Sequence, residues 1–243
     1  MTIGEGGSAV AIAYLERAVY EMRQVDRLLR LTPGTALRWI DGYARAGKNY
    51  PPIIRESATG SPLATWGEFV EASLLSAYRS AGVPMSRMRP VVQALKGRFG
   101  TKYPLAHVRP WVDQGRNLVY EAQEEVGLDA GLRIVVEARS GQLRLAPAAE
   151  TFFESVEFEH VTDELGRTSE VEIAARLHPY RSDRDVVIDP ERRSGVPVVR
   201  SVPTEVLAQM VRAGDDVDVV ADWYDLTPGQ VRAAVDYENS LAG

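Results

Sequence analysis

Apolar residues recur at helical spacing near the start of the chain. Ile12, Leu15, Val19 and Met22 are three or four positions apart, and the same spacing continues towards residue 31. Because such positions share one face of a helix, the pattern predicts an amphipathic helix over residues 11–31.

The tetrapeptide Leu-Thr-Pro-Gly occurs twice, at Leu31–Gly34 and at Leu226–Gly229. In each copy the threonine hydroxyl can cap free N–H groups at a helix start. The proline then falls at the first helical position, where its missing N–H removes no hydrogen bond. Each copy joins two apolar stretches, so the sequence predicts two helix-turn-helix units, one near each end of the chain.

The helix after the first copy has two distinct faces. Ala36, Trp39 and Ile40 are predicted to face inward, whereas Thr35 and Arg38, with Asp41 as a further candidate, are predicted to face outward. A small polar residue and an arginine on the exposed face are typical of a recognition helix that reads the major groove of DNA.

Prolines and glycines divide the rest of the chain. Pro51 and Pro52 exclude a helix, so residues 49–63 are predicted to form a β-wing. Helices are predicted over residues 65–81 and 86–99, a hairpin over 111–120, strands over 132–136, 156–158, 186–188 and 195–199, and three closing helices after Pro203, after Asp215 and from Leu226 through Tyr237. The predicted fold class is mainly α with short β elements, in which a β-containing connector (126–180) joins residues 1–125 to a C-terminal trihelical domain (181–243).

Formal charge is unevenly distributed along the 243 residues. Residues 1–110 contain 15 Lys and Arg against 8 Asp and Glu, a net +7, whereas residues 111–243 contain 13 against 26, a net −13. A basic half favours a phosphate backbone, because each neutralised phosphate releases counterions. An acidic half favours a basic protein partner, although segregation of solvated charges by chance is the simpler alternative.

Residues 20–100 contain a distinctive order of predicted parts: a helix-turn-helix, a wing, a long helix and a Gly-Val-Pro-Met-Ser turn into another helix. Val25–Pro33 forms the first helix and turn, and Arg38-Trp39-Ile40 ends the second helix. In this order and in these segments the region resembles MerR-type regulators. Arg30 stands where such turns usually carry Gly, at a position that often takes a left-handed conformation. The resemblance implies a winged helix-turn-helix DNA-binding domain over residues 1–125 and a homodimer formed through the 65–100 helices.

The last section of the chain carries a recognisable series of residues: Ile188-Asp189-Pro190, Gly195-x-Pro197-x-Val199-Arg200, Pro203 and Tyr224–Pro228, followed by Val231, Ala234 and Tyr237. This series resembles the C-terminal domain of a VapB-type antitoxin-like family. Relatives usually have a Gly-Thr-Arg loop after the second strand, and the shorter Arg200–Pro203 segment lacks it. Together, the two resemblances imply an antitoxin encoded beside a PIN-like ribonuclease toxin.

Charge distinguishes the partners expected for the two helix-turn-helix units. Basic residues surround the first copy, and the predicted DNA-binding set is Arg27, Arg30, Thr35, Arg38, Arg45, Lys48 and Arg55. Residues 200–243 carry three Arg against eight Asp and Glu, so the second unit has little with which to bind DNA. A stable three-helix packing unit is favoured there, with DNA contact and protein docking as alternatives; for docking, the predicted toxin-binding residues are Trp223, Tyr224 and Tyr237.

No motif in the sequence points to catalysis. His107, His160 and His178 are scattered, and none forms a metal-binding pair such as His-Glu-x-x-His. Asp183, Asp185 and Asp189 are more typical of a turn than of a metal site. We therefore expect no catalytic residues, no metal and no cofactor.

The sequence predicts an antitoxin that neutralises a PIN-like ribonuclease toxin and represses its own operator. The alternative is a stand-alone MerR-like regulator whose C-terminal half senses a ligand or dimerises; an enzyme of unrecognised type is a distant third. No cysteine, signal peptide or run of about 18 apolar residues is present, which leads us to expect a cytoplasmic protein without a membrane segment.

Overall fold

The computed structural model describes residues 5–82, 84–85, 88–129, 133–138, 140, 142–180 and 184–241. The protein is mainly α-helical with short β elements, which confirms the predicted fold class. It divides into two compact units: the first comprises Met1–Glu154 and Phe158–Ala174, and the second comprises Ser155–Glu157 and Ala175–Gly243. Among the described residues, no helix has the length and apolar character needed to cross a membrane.

The first unit contains most of the helices. In chain order its elements are α1 (Glu5–Leu15), β1 (Ala18–Glu21), α2 (Met22–Leu28), α3 (Thr35–Ile40), β2 (Tyr43–Arg45), β3 (Lys48–Tyr50), β4 (Leu63–Thr65), α4 (Trp66–Ser80), α5 (Met88–Phe99), two 3₁₀ turns (Pro104–Ala106 and Arg109–Trp111), α6 (Asp113–Glu125), β5 (Val135–Glu137), β6 (Leu143–Leu145) and α7 (Pro147–Ser155). The chain then passes between the units within β7 (Val156–Glu159) and β8 (Ile173–Leu177).

The second unit packs three helices beside a small sheet. Its further elements are β9 (Val186–Val187), a 3₁₀ turn (Arg193–Gly195), β10 (Val198–Val199), β11 (Val202–Pro203), α8 (Thr204–Ala213), α9 (Val217–Tyr224) and α10 (Pro228–Leu241). The strands are antiparallel in the order β11-β10-β9. Leu207, Val220, Val231 and Tyr237 form the core, so the predicted trihelical unit is confirmed.

Helix α4 is the central element of the first unit. Thr65 and Glu68 close a capping box at its start, because the Thr65 hydroxyl accepts from the Glu68 N–H and the Glu68 carboxylate accepts from the Thr65 N–H. A Cβ at Gly67 would lie 2.7 Å from the Tyr103 ring, so the close approach of that ring requires glycine. Trp66 is fully buried and its indole N–H donates to the Ala174 carbonyl at 2.6 Å.

The single helix predicted over residues 11–31 is wrong. The structure has α1, then β1, then α2, because β1 pairs with β4 in an antiparallel ladder that includes Tyr20 opposite Ala64. Tyr20 is 1% exposed and its ring lies 4.6 Å from that of Phe69. Residues 18–21 therefore form a strand although their neighbours have helical spacing, because the strand pairing with β4 buries Tyr20.

The hairpin predicted over residues 111–120 is also wrong, since residues 113–125 form α6. Val119, Ala122 and Gln123 lie on the buried face. The Gln123 side chain donates to the Val135 carbonyl at 2.9 Å and accepts from the Val135 N–H at 3.0 Å. Residues 126–154, predicted as part of a separate connector, thereby belong to the first compact unit.

Candidate nucleic-acid interface and candidate partner surface

The first Leu-Thr-Pro-Gly copy follows a tight turn. Helix α2 ends at Leu28, and Arg30 takes a left-handed conformation with φ of 53°. The Leu31 N–H then donates to the Asp26 carbonyl at 2.7 Å, which closes the end of the helix. Arg30 thus has the conformation that the MerR resemblance assigns to its position, although glycine would adopt it with less strain.

The side chain that caps α3 is Asp26, and not Thr32 as predicted. Its carboxylate accepts from the Gly34 N–H at 2.6 Å and from the Ala36 N–H at 2.7 Å. Asp26 is 5% exposed, so the charge is held inside the unit at the positive end of the helix. Helix α3 starts at Thr35, two residues after Pro33, so the predicted first-turn proline lies outside it.

The exposed face of α3 is formed by Leu37 and Arg38. Leu37 is 42% exposed and the Arg38 guanidinium also faces solvent. Thr35 was predicted on this face but is buried, since it lies in the first turn of α3 close to the capping carboxylate. Its hydroxyl accepts from Arg38 Nη2 at 2.8 Å, so Thr35 orients the arginine instead of offering a surface of its own.

A β-hairpin lies earlier in the chain than the predicted wing. Strands β2 and β3 form an antiparallel hairpin over residues 43–50, and Ala46 and Gly47 have φ of 51° and 74° in its two-residue turn. Two positive φ values in a row are typical of a turn that matches strand twist. Arg45 and Lys48 pair opposite each other beside the turn and are exposed.

Two aromatic residues on this hairpin were missed by the sequence analysis. The Tyr43 and Tyr50 rings stack with centroids 4.5 Å apart and planes 5° apart, and both remain more than a third exposed. Lys48 Nζ lies 5.5 Å from the Tyr50 ring centroid. The sequence did contain a signal for this hairpin, namely the Ala46-Gly47 pair between two short segments that each contain a tyrosine. The wing was instead predicted over residues 49–63 because of the prolines at positions 51 and 52.

Arg55 was predicted to contact DNA, and the structure contradicts that prediction. Its side chain is 8% exposed and donates to Asp41 at 2.6 Å and to both Glu68 oxygens at 2.7 and 2.9 Å. Burial opposes ionisation of Asp41, but hydrogen bonds from Thr59 and Arg55 hold the pKa of the Asp41 carboxyl below its ordinary value. Arg55 therefore links the end of α3 to the start of α4.

Five of the predicted DNA-binding residues remain as a candidate interface. They are exposed and lie on three consecutive elements, namely the end of α2 with its turn, helix α3 and the β2-β3 hairpin: Arg27, Arg30, Arg38, Arg45 and Lys48. Basic groups clustered on a short exposed helix and an adjacent β-hairpin are of the kind that contact a phosphate backbone.

The second Leu-Thr-Pro-Gly copy has the same turn as the first, but a different residue caps the helix that follows. Asp225 has φ of 53°, and the Leu226 N–H donates to the Ala221 carbonyl at 2.9 Å. Here Thr227 does cap the helix as predicted, because its hydroxyl accepts from the Gln230 N–H at 3.2 Å while Gln230 Oε1 accepts from the Thr227 N–H at 3.1 Å. Helix α10 accordingly starts at Pro228.

The three predicted toxin-binding aromatics lie in three different environments. Trp223 is 60% exposed and shares a helix face with Val219, which is 43% exposed. Tyr224 is half-buried against the core of the second unit. Tyr237 is wholly buried and its ring meets that of Tyr180 edge-on, so the prediction that it contacts a partner is wrong.

Acidic side chains surround the exposed part of α9. Asp216, Asp218, Asp222 and Asp225 are exposed on the helix and the residues flanking it. The carboxylate of Asp216 accepts from the Asp218 N–H at 2.8 Å and so caps the helix, which was predicted for Asp215. An exposed tryptophan within an acidic rim favours a basic protein partner over nucleic acid.

The residues considered for a metal take part in ion pairs or hydrogen bonds, except Asp183, which lies outside the described residues. Asp189 forms an ion pair with Arg176, whose Nε lies 3.1 Å from the carboxylate. Asp185 accepts a hydrogen bond from Gln230 Nε2 at 3.1 Å. His178 Nε2 lies 2.8 Å from Glu157 Oε1. Burial tends to raise the pKa of the Glu157 carboxyl, but the contacts with His178 and Arg176 hold that pKa below its ordinary value. Within the described part of the chain, no group of three or more His, Cys, Asp or Glu side chains is placed to hold a metal ion.

Comparison with known proteins places the chain among mycobacterial relatives. A family model described as a protein of unknown function, DUF433, matches residues 186–237, which cover most of the second unit. The "Uncharacterized protein Rv2308" of Mycobacterium tuberculosis is 39% identical over 92% of this chain and 91% of its own length. The protein named "Putative antitoxin VapB45" of the same organism is 31% identical over 90% of this chain and 92% of its own length. The chain belongs to the VapB45 family.

A solved structure is also similar to the chain over nearly its whole length. The X-ray crystal structure of Rv2018 from M. tuberculosis matches with a TM-score of 0.70 and 28% identity, covering 91% of this chain and 99% of that one. Similarity to this solved structure therefore extends well beyond the residues of the DUF433 match and includes both compact units.

Proposed function

We propose that this protein is the antitoxin of a type II toxin–antitoxin pair, which neutralises a PIN-like ribonuclease toxin and represses its own operator. The observation that carries the proposal is the 31% identity to VapB45 over 92% of that protein's length. The opposite charges of the two halves of the chain support one partner for each half.

The DNA-binding part of the proposal rests on the first unit. Helices α2 and α3 with the β2-β3 wing would act as a MerR-like winged helix-turn-helix. Arg38 on α3 is the candidate for base or phosphate contact in the major groove, and Arg45 and Lys48 on the wing are candidates for the flanking phosphates. The stacked Tyr43–Tyr50 pair stiffens the wing and presents aromatic edges beside Lys48.

The toxin-binding part of the proposal rests on α9. Trp223 and Val219 supply an apolar centre, and the surrounding aspartates supply a charge opposite to that of an RNA-binding surface. Large exposed aromatics commonly dominate the binding energy of such interfaces, whereas rim charges set the association rate. Covering the basic surface of a ribonuclease would block its access to RNA.

Two further parts of the proposal follow from the same arrangement. The chain would act as a homodimer, because MerR-like proteins read two half-sites about one helical turn apart. It would have no catalytic activity of its own, because in such a pair the catalytic acids belong to the toxin.

The test is co-expression of this chain with the small protein encoded beside it. We expect the two to co-purify at a fixed ratio and expect growth arrest by the neighbour to be relieved by this chain. Failure of both assays would overturn the antitoxin proposal. Operator binding by a chain that captures no neighbour would instead indicate a stand-alone MerR-like regulator.

A further inference from the structure

A cavity of about 700 Å³ opens within the first unit. Its walls come from residues 54–59, from the last two turns of α5 and from the segment that follows α5. A volume of this size is typical of sites for small molecules. The lining residues that matter below are Arg55, Glu68, Lys96, Gly97, Lys102 and Tyr103.

The cavity contains a buried ammonium group. Lys96 is 8% exposed, and its Nζ donates to the Ile54 carbonyl. An ammonium group has three hydrogens to donate, and the Ile54 carbonyl is the one hydrogen-bond acceptor that the described residues give it. Lys96 therefore has donor capacity left for a group within the cavity.

Three carboxyl groups line the cavity or lie near Lys96, and among the described residues no hydrogen bond joins any of them to its Nζ. Glu68 is held by two hydrogen bonds from Arg55, and Glu56 lines the cavity but is exposed. Glu71 is completely buried; burial raises the pKa of its carboxyl to about 8, and the charge interaction with Lys96 only partly offsets that rise. An anion in the cavity would therefore give the remaining Lys96 hydrogens a charged acceptor.

A second cation stands at the rim of the cavity. Lys102 is half-exposed, and its Nζ lies 2.9 Å from Glu16 Oε1 and 5.2 Å from the Tyr103 ring centroid. An exposed ion pair of this kind contributes little stability, so an incoming anion can replace Glu16 at low cost. Lys96 thus supplies a buried ammonium group within the cavity, and Lys102 supplies a half-exposed one at its rim.

We propose that this cavity binds a small organic anion, whose carboxylate or phosphate oxygens contact the ammonium groups of Lys96 and Lys102. The site goes beyond the proposed function, since it needs neither DNA nor toxin. It lies beside the segment that holds the recognition helix, because the Ile54 N–H donates to the Trp39 carbonyl at 3.0 Å and the Arg55 N–H to the Ile40 carbonyl at 3.3 Å.

Gly97 provides a variant that blocks the cavity without disturbing the fold. It lines the cavity within α5, and a Cβ built there meets no atom within 4 Å. Because leucine is a better helix former than glycine, Gly97→Leu fills the space while favouring the helix. Gly97→Ala serves as the matched control for helix propensity, and Arg144→Ala removes an exposed basic side chain elsewhere in the same unit.

The experiment is isothermal titration calorimetry of the full chain with citrate, which offers only carboxylates, and with glycerol 3-phosphate, which offers a phosphate. We expect at least one probe to bind in the sub-millimolar range. Lys96→Met and Gly97→Leu should weaken binding by roughly tenfold or more, whereas Gly97→Ala and Arg144→Ala should bind as the parent does. Absence of binding by both probes, parental binding by Gly97→Leu, or a decrease in Arg144→Ala as large as that in Lys96→Met would overturn the proposal.

This outcome is independent of the proposed function. The titration uses the protein alone, so failure to bind either probe leaves the co-purification and operator assays unaffected. Failure of those assays likewise leaves the cavity test intact. The thermal midpoint of Gly97→Leu, expected to equal or exceed that of the parent, shows directly whether a missing signal comes from a filled site or from an unfolded one.

Discussion

Arg30 and Asp225 have the same left-handed conformation at the same place, one residue before each Leu-Thr-Pro-Gly copy, with φ of 53° in both. In both turns the leucine N–H reaches the carbonyl five residues earlier, which belongs to Asp26 in one copy and to Ala221 in the other. One side chain is a carboxylate and the other a methyl group. The local sequence therefore determines the turn in both copies. The residue five positions before the leucine determines which side chain caps the next helix: Asp26 caps α3, whereas Ala221 cannot cap α10 and Thr227 does so.

Replacing Asp26 should destabilise the first unit more than replacing Thr32. Asp26→Ala removes the acceptor of two N–H groups at the start of α3 and should lower the free energy of unfolding by about 1–2 kcal/mol. Thr32→Ala is the matched control and should change it by less than about 0.5 kcal/mol. Thr227→Ala in the second copy should cost about 1 kcal/mol, because that threonine does cap its helix. Urea unfolding measures all three, and equal effects of Asp26→Ala and Thr32→Ala would contradict the assignment.

Removal of exposed basic groups should weaken operator binding in a salt-dependent way. Arg38→Ala and Lys48→Ala should each reduce affinity and reduce the slope of log K against log salt by about one for each phosphate that is no longer neutralised. Arg212→Ala, an exposed arginine of the second unit, is the control. Fluorescence anisotropy at several salt concentrations gives both quantities. Unchanged slopes in the first two variants would show that the DNA surface lies elsewhere.

Local patterns in the sequence predicted most of the helices. Helices α4, α5 and α8 lie within two residues of the predicted positions, because each has a one-faced apolar pattern and a clear start or end signal. Helix α10 was also predicted but continues four residues beyond the predicted end at Tyr237, to Leu241. The strand at Ala18–Glu21 was not predictable in this way, since its partner lies more than 40 residues further along the chain. Strand pairing over such a distance leaves little local trace.

The candidate site was harder to predict than the helices. Arg55 was predicted to bind DNA, with Arg38 and Lys48, because all three lie near the first turn and are basic. In the structure Arg55 is buried and pairs with Asp41 and Glu68, which are 14 and 13 residues away in the sequence. Tyr237 was selected as an aromatic residue near acidic ones, yet it packs in the core. Residue type alone does not separate a buried ion pair or a core aromatic from a surface group, because that depends on contacts distant in sequence.

Arg55 should matter for stability and not for direct DNA contact. Arg55→Ala leaves the Asp41 and Glu68 carboxylates buried without their partner and should lower the free energy of unfolding by about 3 kcal/mol or more. The Asp41 carboxyl, whose folded pKa lies below its ordinary value, contributes stability that disappears as pH falls through that lowered pKa. Asp41→Asn should therefore flatten the acid limb of a stability profile recorded below about pH 4. An Arg55→Ala protein of parental stability with impaired operator binding would reverse this assignment.

Glu71 should make the protein less stable as pH rises through the neutral range. Burial raises the pKa of its carboxyl to about 8 in the folded protein, whereas in the unfolded chain it ionises near its ordinary value of 4.5. Between these values the folded state binds more protons than the unfolded state, so stability falls as pH rises and levels off above about pH 8. Glu71→Gln should abolish that decline and raise the melting temperature at pH 8 more than at pH 5. Equal shifts at both values would show that Glu71 is not the titrating group.

Trp223 and Tyr237 should separate partner binding from folding. Trp223 is 60% exposed, so Trp223→Ala should leave the free energy of unfolding within about 0.5 kcal/mol of the parent while reducing capture of the toxin at least tenfold. Tyr237 is wholly buried in the core of the second unit, so Tyr237→Ala should cost about 3–5 kcal/mol and impair capture only through unfolding. Calorimetric melting and pull-down with the co-expressed neighbour measure the two effects. A Trp223→Ala chain that is fully folded and still captures the toxin with parental affinity would remove α9 from the interface and direct attention to other exposed apolar residues.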